Sequence, residues 1–340
     1  MGVTLRFSHP WERRMETPQK LIRIRQLTID PPLFLAPMAG LTHSALRQVM
    51  SGFGGVGLLS TEMLSAKRLP KENPAISPYL IRTASEKLLS YQLLTSTAEE
   101  IGPAIDALHR FKADAIDLNM GCPAPAVGKF GAGIQLMEQP ENARCIVHEA
   151  RKRTALPLTA KIRLGTEDEG KLKAFCTMLQ DEGIDMLSVH ARFKHESFAR
   201  KPRWEAIAGI RTWLSIPVIA NGGIFSVQDA QQCLAISGAD GLMLGRGAVI
   251  RPWLFSEIAR DVYQCPVAEP AVSLPELFGA FIDYLNELFR PEYRLGRLKE
   301  FTHYFARNYQ FGHHLASRVQ SSASVEEARE RAGTFFEKGG

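Results

Sequence analysis

Cys122 lies in the run DLNMGCPAP (residues 117–125), where an apolar stretch opens into glycine and proline. Proline fixes its own φ and the preceding glycine allows a close approach, so the thiol is held on a stiff loop. A thiol there can serve as acid, base or nucleophile, or pack as an inert small hydrophobe. Lys161 and Arg163 alternate in AKIR, so on a strand both side chains point to the same face. Two such cations need a compensating anion, either a ligand or Asp117 and Glu62 of this chain. The runs NGGIFSVQDA (221–230) and GRGAVIRPW (245–253) each follow an apolar stretch and open a helical one. Their backbone N–H groups, with Arg246, suit a phosphate; a pair of plain glycine turns is the alternative.

Strands are needed to set these residues in place. Short apolar runs recur at 33–38, 56–63, 88–94, 115–120, 158–163, 186–191, 217–221 and 240–245. Several lack alternation, as in parallel strands covered on both faces. Helical spacing lies between them, as in Ile101, Ala104, Ile105 and Leu108, or Ala143, Ile146, Val147 and Ala150. Thr97 with Glu100 reads as a capping box, and Cys145, Cys176 and Cys233 read as helix core. Eight strands alternating with helices predict an α/β fold, a (β/α)8 TIM barrel over residues 27–262, with a doubly wound sheet as the alternative. A proline-rich linker over 263–272 then leads to a small all-helical domain over 273–340, and residues 1–26 read as a basic N-terminal extension.

In a barrel, chemistry gathers at the carboxyl ends of the strands. Pro37, Met38 and Ala39 end the first run, Glu62 the second and Gln92 the third. Asn119 and Cys122 close the fourth, Lys161 and Arg163 the fifth, and His190 with Arg192 the sixth. Asn221, Gly222 and Gly223 end the seventh, then Gly245 and Arg246 the eighth. GFGGVG (52–57) has dinucleotide-fingerprint spacing but precedes a strand instead of following one, so it reads as a turn.

Five cysteines without a C-x-x-C pair argue against a disulfide framework, a zinc site or an iron–sulfur cluster, so no metal is expected. The N-terminus lacks an apolar signal core and no run is long enough to span a bilayer, so a cytoplasmic protein with no membrane association is expected. The net charge of +5 is concentrated in residues 6–25, 192–203 and 290–320, where Arg and Lys outnumber acids six to two, five to one and six to two. One such stretch is ordinarily a solvated face; three point to a polyanionic partner.

LAPMAGLT, TEMLSA, YQLL, DLNMGCPAP with KFGAG, AKIRLG, SVHAR, VIANGGI and GLMLGRGAVIRPWLF occur in this order. Together they closely resemble the tRNA-dihydrouridine synthases over roughly residues 27–260. The resemblance implies a barrel carrying FMN and a helical domain that helps grip tRNA. Pro37, Met38 and Ala39 would line the flavin, Gln92 would bond its ring, and Lys161 would sit at its pyrimidine edge. His190, Asn221, Gly222, Gly223, Gly245 and Arg246 would hold the ribityl phosphate end. Cys122 would be the proton donor: a hydride passes from flavin N5 to C6 of uracil and the thiol protonates C5. Thiols ionise near pH ~8.5 and so hold their proton at neutral pH. Asn119 and Arg163 are expected to orient the uracil, and Arg192 and Lys194 to contact tRNA near the target. NADPH is the expected electron donor, and a monomer needing no protein partner is expected. The sequence departs from the family at His43, where aspartate is usual, and in AKIRLGTED and SVHARF, which leaves substrate choice open. A flavin-dependent reductase of a free pyrimidine, or a non-catalytic tRNA-binding protein, are the competing readings.

Overall fold

The computed structural model describes residues 21–197 and 199–339. Ten strands appear in chain order: β1 (Ile22–Ile24), β2 (Leu27–Ile29), β3 (Leu33–Leu35), β4 (Leu59–Ser65), β5 (Leu89–Leu94), β6 (Ala115–Met120), β7 (Leu158–Arg163), β8 (Met186–His190), β9 (Val218–Asn221) and β10 (Gly241–Leu244). The last eight form one sheet in the order β3-β10-β9-β8-β7-β6-β5-β4, with parallel ladders throughout. The ends of that order meet: Phe34 bridges Leu58 in parallel, and Leu35 N donates to Leu58 O at 2.9 Å. A sheet whose last strand returns beside its first is a closed barrel, so the (β/α)8 fold holds and the doubly wound sheet does not.

The strands match the apolar runs because both faces are covered. β6 and β8 are buried along their whole length, the outer face by helices and the inner by the barrel lumen. Helix Pro140–Arg153 buries Ala143, Ile146, Val147 and Ala150, as its spacing predicts. Cys145 falls on the opposite face and is exposed, contrary to the core role read for it, whereas Cys176 and Cys233 are buried. Thr97 makes no capping bond; Glu100 Oε2 instead accepts from Thr95 Oγ1 at 2.9 Å, so the capping box is not formed. GFGGVG is the turn between helix Ser44–Phe53 and β4.

One boundary needs correction. β1 and β2 form an antiparallel hairpin that pairs Ile22 with Ile29, and a break at residue 26 would cut through it. Ile22, Ile24, Leu27 and Ile29 are buried in a cluster with Phe34, Ala115, Met186, Ile219 and Met243. Ala115 and Met186 begin their strands, so the hairpin plugs the amino-terminal end of the lumen. The rest of the basic extension, residues 1–20, lies outside the described residues.

After helix Leu254–Asp261 the chain runs without regular structure to helix Leu274–Leu288. Helices Arg294–Phe305, Gly312–Gln320 and Val325–Glu337 follow around an aromatic core, with the Phe281 and Phe301 rings stacked at 4.0 Å. This bundle joins the barrel through a shared apolar core. His43 is buried in the seam, 5.9 Å from the ring of Phe281 and 5.3 Å from that of Phe289. Burial, then Arg297 and Arg47, hold its imidazole neutral, well below its usual range. A neutral ring fits an aromatic seam, whereas an aspartate there would be a buried charge. Among the described residues no helix is long and apolar enough to cross a membrane.

Candidate active site at the strand ends

A cavity of about 290 Å³ opens where the strands end. It is lined by Pro37, Met38 and Ala39 after β3, by Asn119 and Cys122 after β6, and by Lys161 and Arg163 of β7. His190 and Arg192, then Asn221 to Gly223, then Gly245 and Arg246 complete the wall. Parallel strands of one register bring these residues to one level although 209 positions (246 − 37) separate the first from the last.

The Cys122 loop is anchored from below by a buried polar chain. Thr159 Oγ1 donates to Asp117 Oδ1 at 2.5 Å, and Gln92 Nε2 donates to Asp117 Oδ2 at 2.6 Å. Asn119 Nδ2 donates to Gln92 Oε1 at 2.8 Å. Asn119 Oδ1 then accepts from Cys122 N at 3.0 Å and Gly121 N at 3.2 Å. From the other side Ile134 N donates to Cys122 O at 3.1 Å. Gly121 has to be glycine, since a Cβ there would lie 2.9 Å from the Ile162 carbonyl carbon. Gln92 is fully buried with both ends of its amide engaged, and it does not line the cavity. Gln92, expected to bond the flavin ring, stands in this chain directly behind the cavity wall. Asn119 thus positions the Cys122 loop through its oxygen and also lines the cavity.

Positive charge dominates the opposite wall. Burial, opposed by Asp117 and reinforced by Arg163, lowers the Lys161 ammonium to about 8. Burial raises Asp117, opposed by its bonds from Thr159 and Gln92 and by Lys161. Burial, with Lys161, Arg163, Arg192 and Arg246 around it, drives His190 far below the usual imidazole range. Arg192 Nη1 lies 2.8 Å from His190 Nε2. A guanidinium only donates, so this neutral imidazole accepts at Nε2 and carries its proton on Nδ1.

Two loops form a cradle beside these cations. Asn221 Nδ2 donates to Met243 O at 2.7 Å, tying β9 to β10. Trp204 Nε1 donates to Gly222 O at 3.0 Å, fixing the turn that follows. Gly222 has φ +109°, and a Cβ there would lie 2.7 Å from His190 Cδ2. Arg246 packs its guanidinium over Phe225, 5.6 Å from the ring centroid. Bare backbone, a neutral histidine and several cations around one concavity suit an anionic group.

Residues 34–337 match the dihydrouridine synthase (Dus) family. The chain belongs to that family. It is 33% identical over 320 residues to the tRNA-dihydrouridine(16) synthase of Neisseria meningitidis serogroup B, covering 89% of this chain and 94% of that one. A tRNA-dihydrouridine(16) synthase of Pseudomonas putida is 34% identical over 295 residues, covering 81% and 88%. Among solved structures, histamine dehydrogenase from Rhizobium sp. 4-9 superposes with a TM-score of 0.58 at 14% identity, over 79% of this chain. This chain spans about half (51%) of that one. Morphinone reductase in complex with tetrahydroNAD gives 0.53 at 12% identity, over 78% of this chain and 94% of that one. These two likenesses show a shared barrel.

For this member of the dihydrouridine synthase family, several basic residues are paired within the chain. Lys194 pairs with Glu138 at 2.7 Å and lies outside the cavity lining. Arg192 is buried against His190, and Arg203 pairs with Glu196 at 2.8 Å. Arg294 donates to the carbonyls of Phe289 and Asn286. Part of the basic charge read in the sequence is thus paired within the fold, some of it at half-exposed positions. Glu300 and Tyr304 of the helical bundle also line the cavity. No local signal marks them, because only docking of the bundle brings them there. Asp117, read in the sequence as a possible counter-charge to Lys161 and Arg163, shares the inward face of β6 with Asn119 and acts on Lys161.

Proposed function

We propose that this protein reduces uridine in tRNA to 5,6-dihydrouridine with FMN as its flavin and NADPH as the source of electrons. Overall, one NADPH and one proton add two hydrogens across the C5–C6 bond. The observation that carries the reading is the pairing, within one cavity, of a loop-anchored thiol with a cationic glycine cradle. The cradle fits FMN: Gly222, Gly223, Gly245 and Arg246 would hold its phosphate, and Met38 and Ala39 would cover its ring. Bound there, FMN supplies the hydride.

The remaining work falls to the chain. Asn119 holds the backbone of Cys122 so that Sγ can hand a proton to C5 of uracil, and proton transfer depends on such placement. Lys161 and Arg163 offset negative charge that develops on the reacting groups. A stacked tRNA uridine must leave its neighbours to reach this depth. The several relatives named for position 16 support uridine 16 as the target.

The test is to map dihydrouridine across the tRNAs of a strain lacking the gene. Loss at position 16 is expected, with rescue by the wild-type gene. Cys122→Ala should purify yellow with bound FMN yet fail to rescue. Normal dihydrouridine in the deletion strain, or reduction of free uracil without tRNA, would refute the proposal.

A further inference from the structure

A second cavity, of about 740 Å³, lies in the seam between the β4 side of the barrel and helix Arg294–Phe305. Ala39, Met63 and Glu300 line both cavities, so the two share a wall. Nothing in the proposed reaction uses it. Its chemistry is unlike that of the first. Glu62, Glu72, Glu292 and Glu300 outnumber Arg68 and Arg297 in its lining, and Arg68 lies 3.8 Å from Glu72. An acidic wall repels phosphate and favours a neutral group that donates hydrogen bonds.

Two buried polar atoms in this lining have no partner. Glu62 Oε1 accepts from Gly40 N at 2.5 Å, but Glu62 Oε2 is unsatisfied. Arg297 Nη1 donates to Tyr293 O at 2.8 Å, but Arg297 Nε is unsatisfied. A buried acceptor and a buried donor left unpaired are both costly, and a ligand presenting a donor beside an acceptor would satisfy both. Tyr79, 41% exposed, adds an aromatic face to the same lining, whereas the Tyr293 ring carries the Arg297 guanidinium at 5.7 Å. A flat ring edged by a donor and an acceptor describes a nucleobase.

We propose that the seam cavity is a second nucleobase pocket, which takes the base next in the chain to the uridine being reduced. This rests on the RNA reading of the first cavity, since the shared wall leaves room for a neighbouring nucleotide and the acidic lining directs its base inward. Glu62 and Arg297 read the edge of that base, and Tyr79 stacks on its face. Specificity for the target then includes one flanking base, read on this chain's own barrel–bundle seam.

The test uses the flavin-loaded enzyme and tRNA transcripts that are abasic immediately 5′ or 3′ of the modified uridine. Binding is measured with wild type, Tyr79→Ala and Glu62→Gln. Tyr79 is exposed, so its variant should fold even if Glu62→Gln does not. One abasic transcript should bind wild type about tenfold more weakly, as for loss of one base–aromatic stack. Tyr79→Ala should bind intact tRNA about tenfold more weakly and no longer distinguish that abasic transcript. Equal wild-type affinity for intact and both abasic transcripts would overturn the proposal, as would a Tyr79→Ala loss that is the same on intact and abasic RNA. Because binding is read without turnover, these outcomes are separate from a failure to form dihydrouridine, which would refute the reading of the first cavity.

Discussion

Lys161 carries a prediction whose size can be worked from its surroundings. Its ammonium is lowered from 10.5 to about 8, by burial first, with Arg163 adding to the effect and Asp117 opposing it. At about 1.4 kcal/mol per pH unit, the charged form is disfavoured in the fold by roughly 3 kcal/mol. The sign follows from linkage: the unfolded chain binds the proton more tightly, so this penalty is full below about pH 8 and fades as pH rises towards 10.5. An anionic flavin reverses the preference, because it gains from the charged lysine. The affinity of apoprotein for FMN should therefore be flat below about pH 8 and weaken by up to about tenfold per unit above it. The flavin phosphate is already doubly ionised there, its second ionisation lying near pH ~6. Lys161→Met should raise the apoprotein's stability at neutral pH by as much as roughly 3 kcal/mol while weakening FMN binding and removing the pH step. Fluorescence titration of FMN into both proteins between about pH 7 and 9.5, with urea unfolding of each apoprotein, checks all three effects. A wild-type dissociation constant unchanged across that range, or a methionine variant with the same step, would show that Lys161 does not face the flavin as a charge.

Other predictions follow from the same geometry. Gly222→Ala would force a Cβ to 2.7 Å from His190 Cδ2 at a left-handed φ of +109°; strain of about 1–3 kcal/mol should weaken FMN binding tenfold or more, read by flavin retention on gel filtration. Asn119→Leu removes the acceptor for the Gly121 and Cys122 N–H groups. Single-turnover reduction should slow by about tenfold to a hundredfold while FMN affinity stays within about twofold; a loss confined to FMN affinity would mean that the loop does not need the anchor. Ile29→Ala cuts into the fully buried plug at the bottom of the lumen and should destabilise the barrel by about 2–5 kcal/mol in urea unfolding, with no change in flavin absorbance at low urea.

Much of this protein was legible from local pattern. β6 and β7 have the same bounds as the runs AIDLNM and LTAKIR, because apolar residues recur at every second position on the helix-covered face while polar ones turn to the lumen. The polar residues that end those runs reach one cavity because strands of a closed parallel barrel all finish at the same rim. What local pattern could not supply was the identity of each residue's neighbour. Gln92 and Asn119 look alike as polar strand-end residues, yet ladder pairing of β5 with β6 turns them towards each other and towards Asp117. Lys194 follows His190 closely in sequence but swings out to Glu138, while Tyr304 enters from a bundle more than a hundred residues further on (304 − 190 = 114). The β1–β2 hairpin looked like a basic arm because its Arg23 and Arg25 alternate with isoleucines too short a run to stand out. Periodicity is set by neighbours along the chain, so the sequence alone determined the elements and which ends of them bear chemistry. Which of those groups share a wall, an electric field or a hydrogen bond depends on barrel closure and bundle docking, and only the tertiary structure decided that.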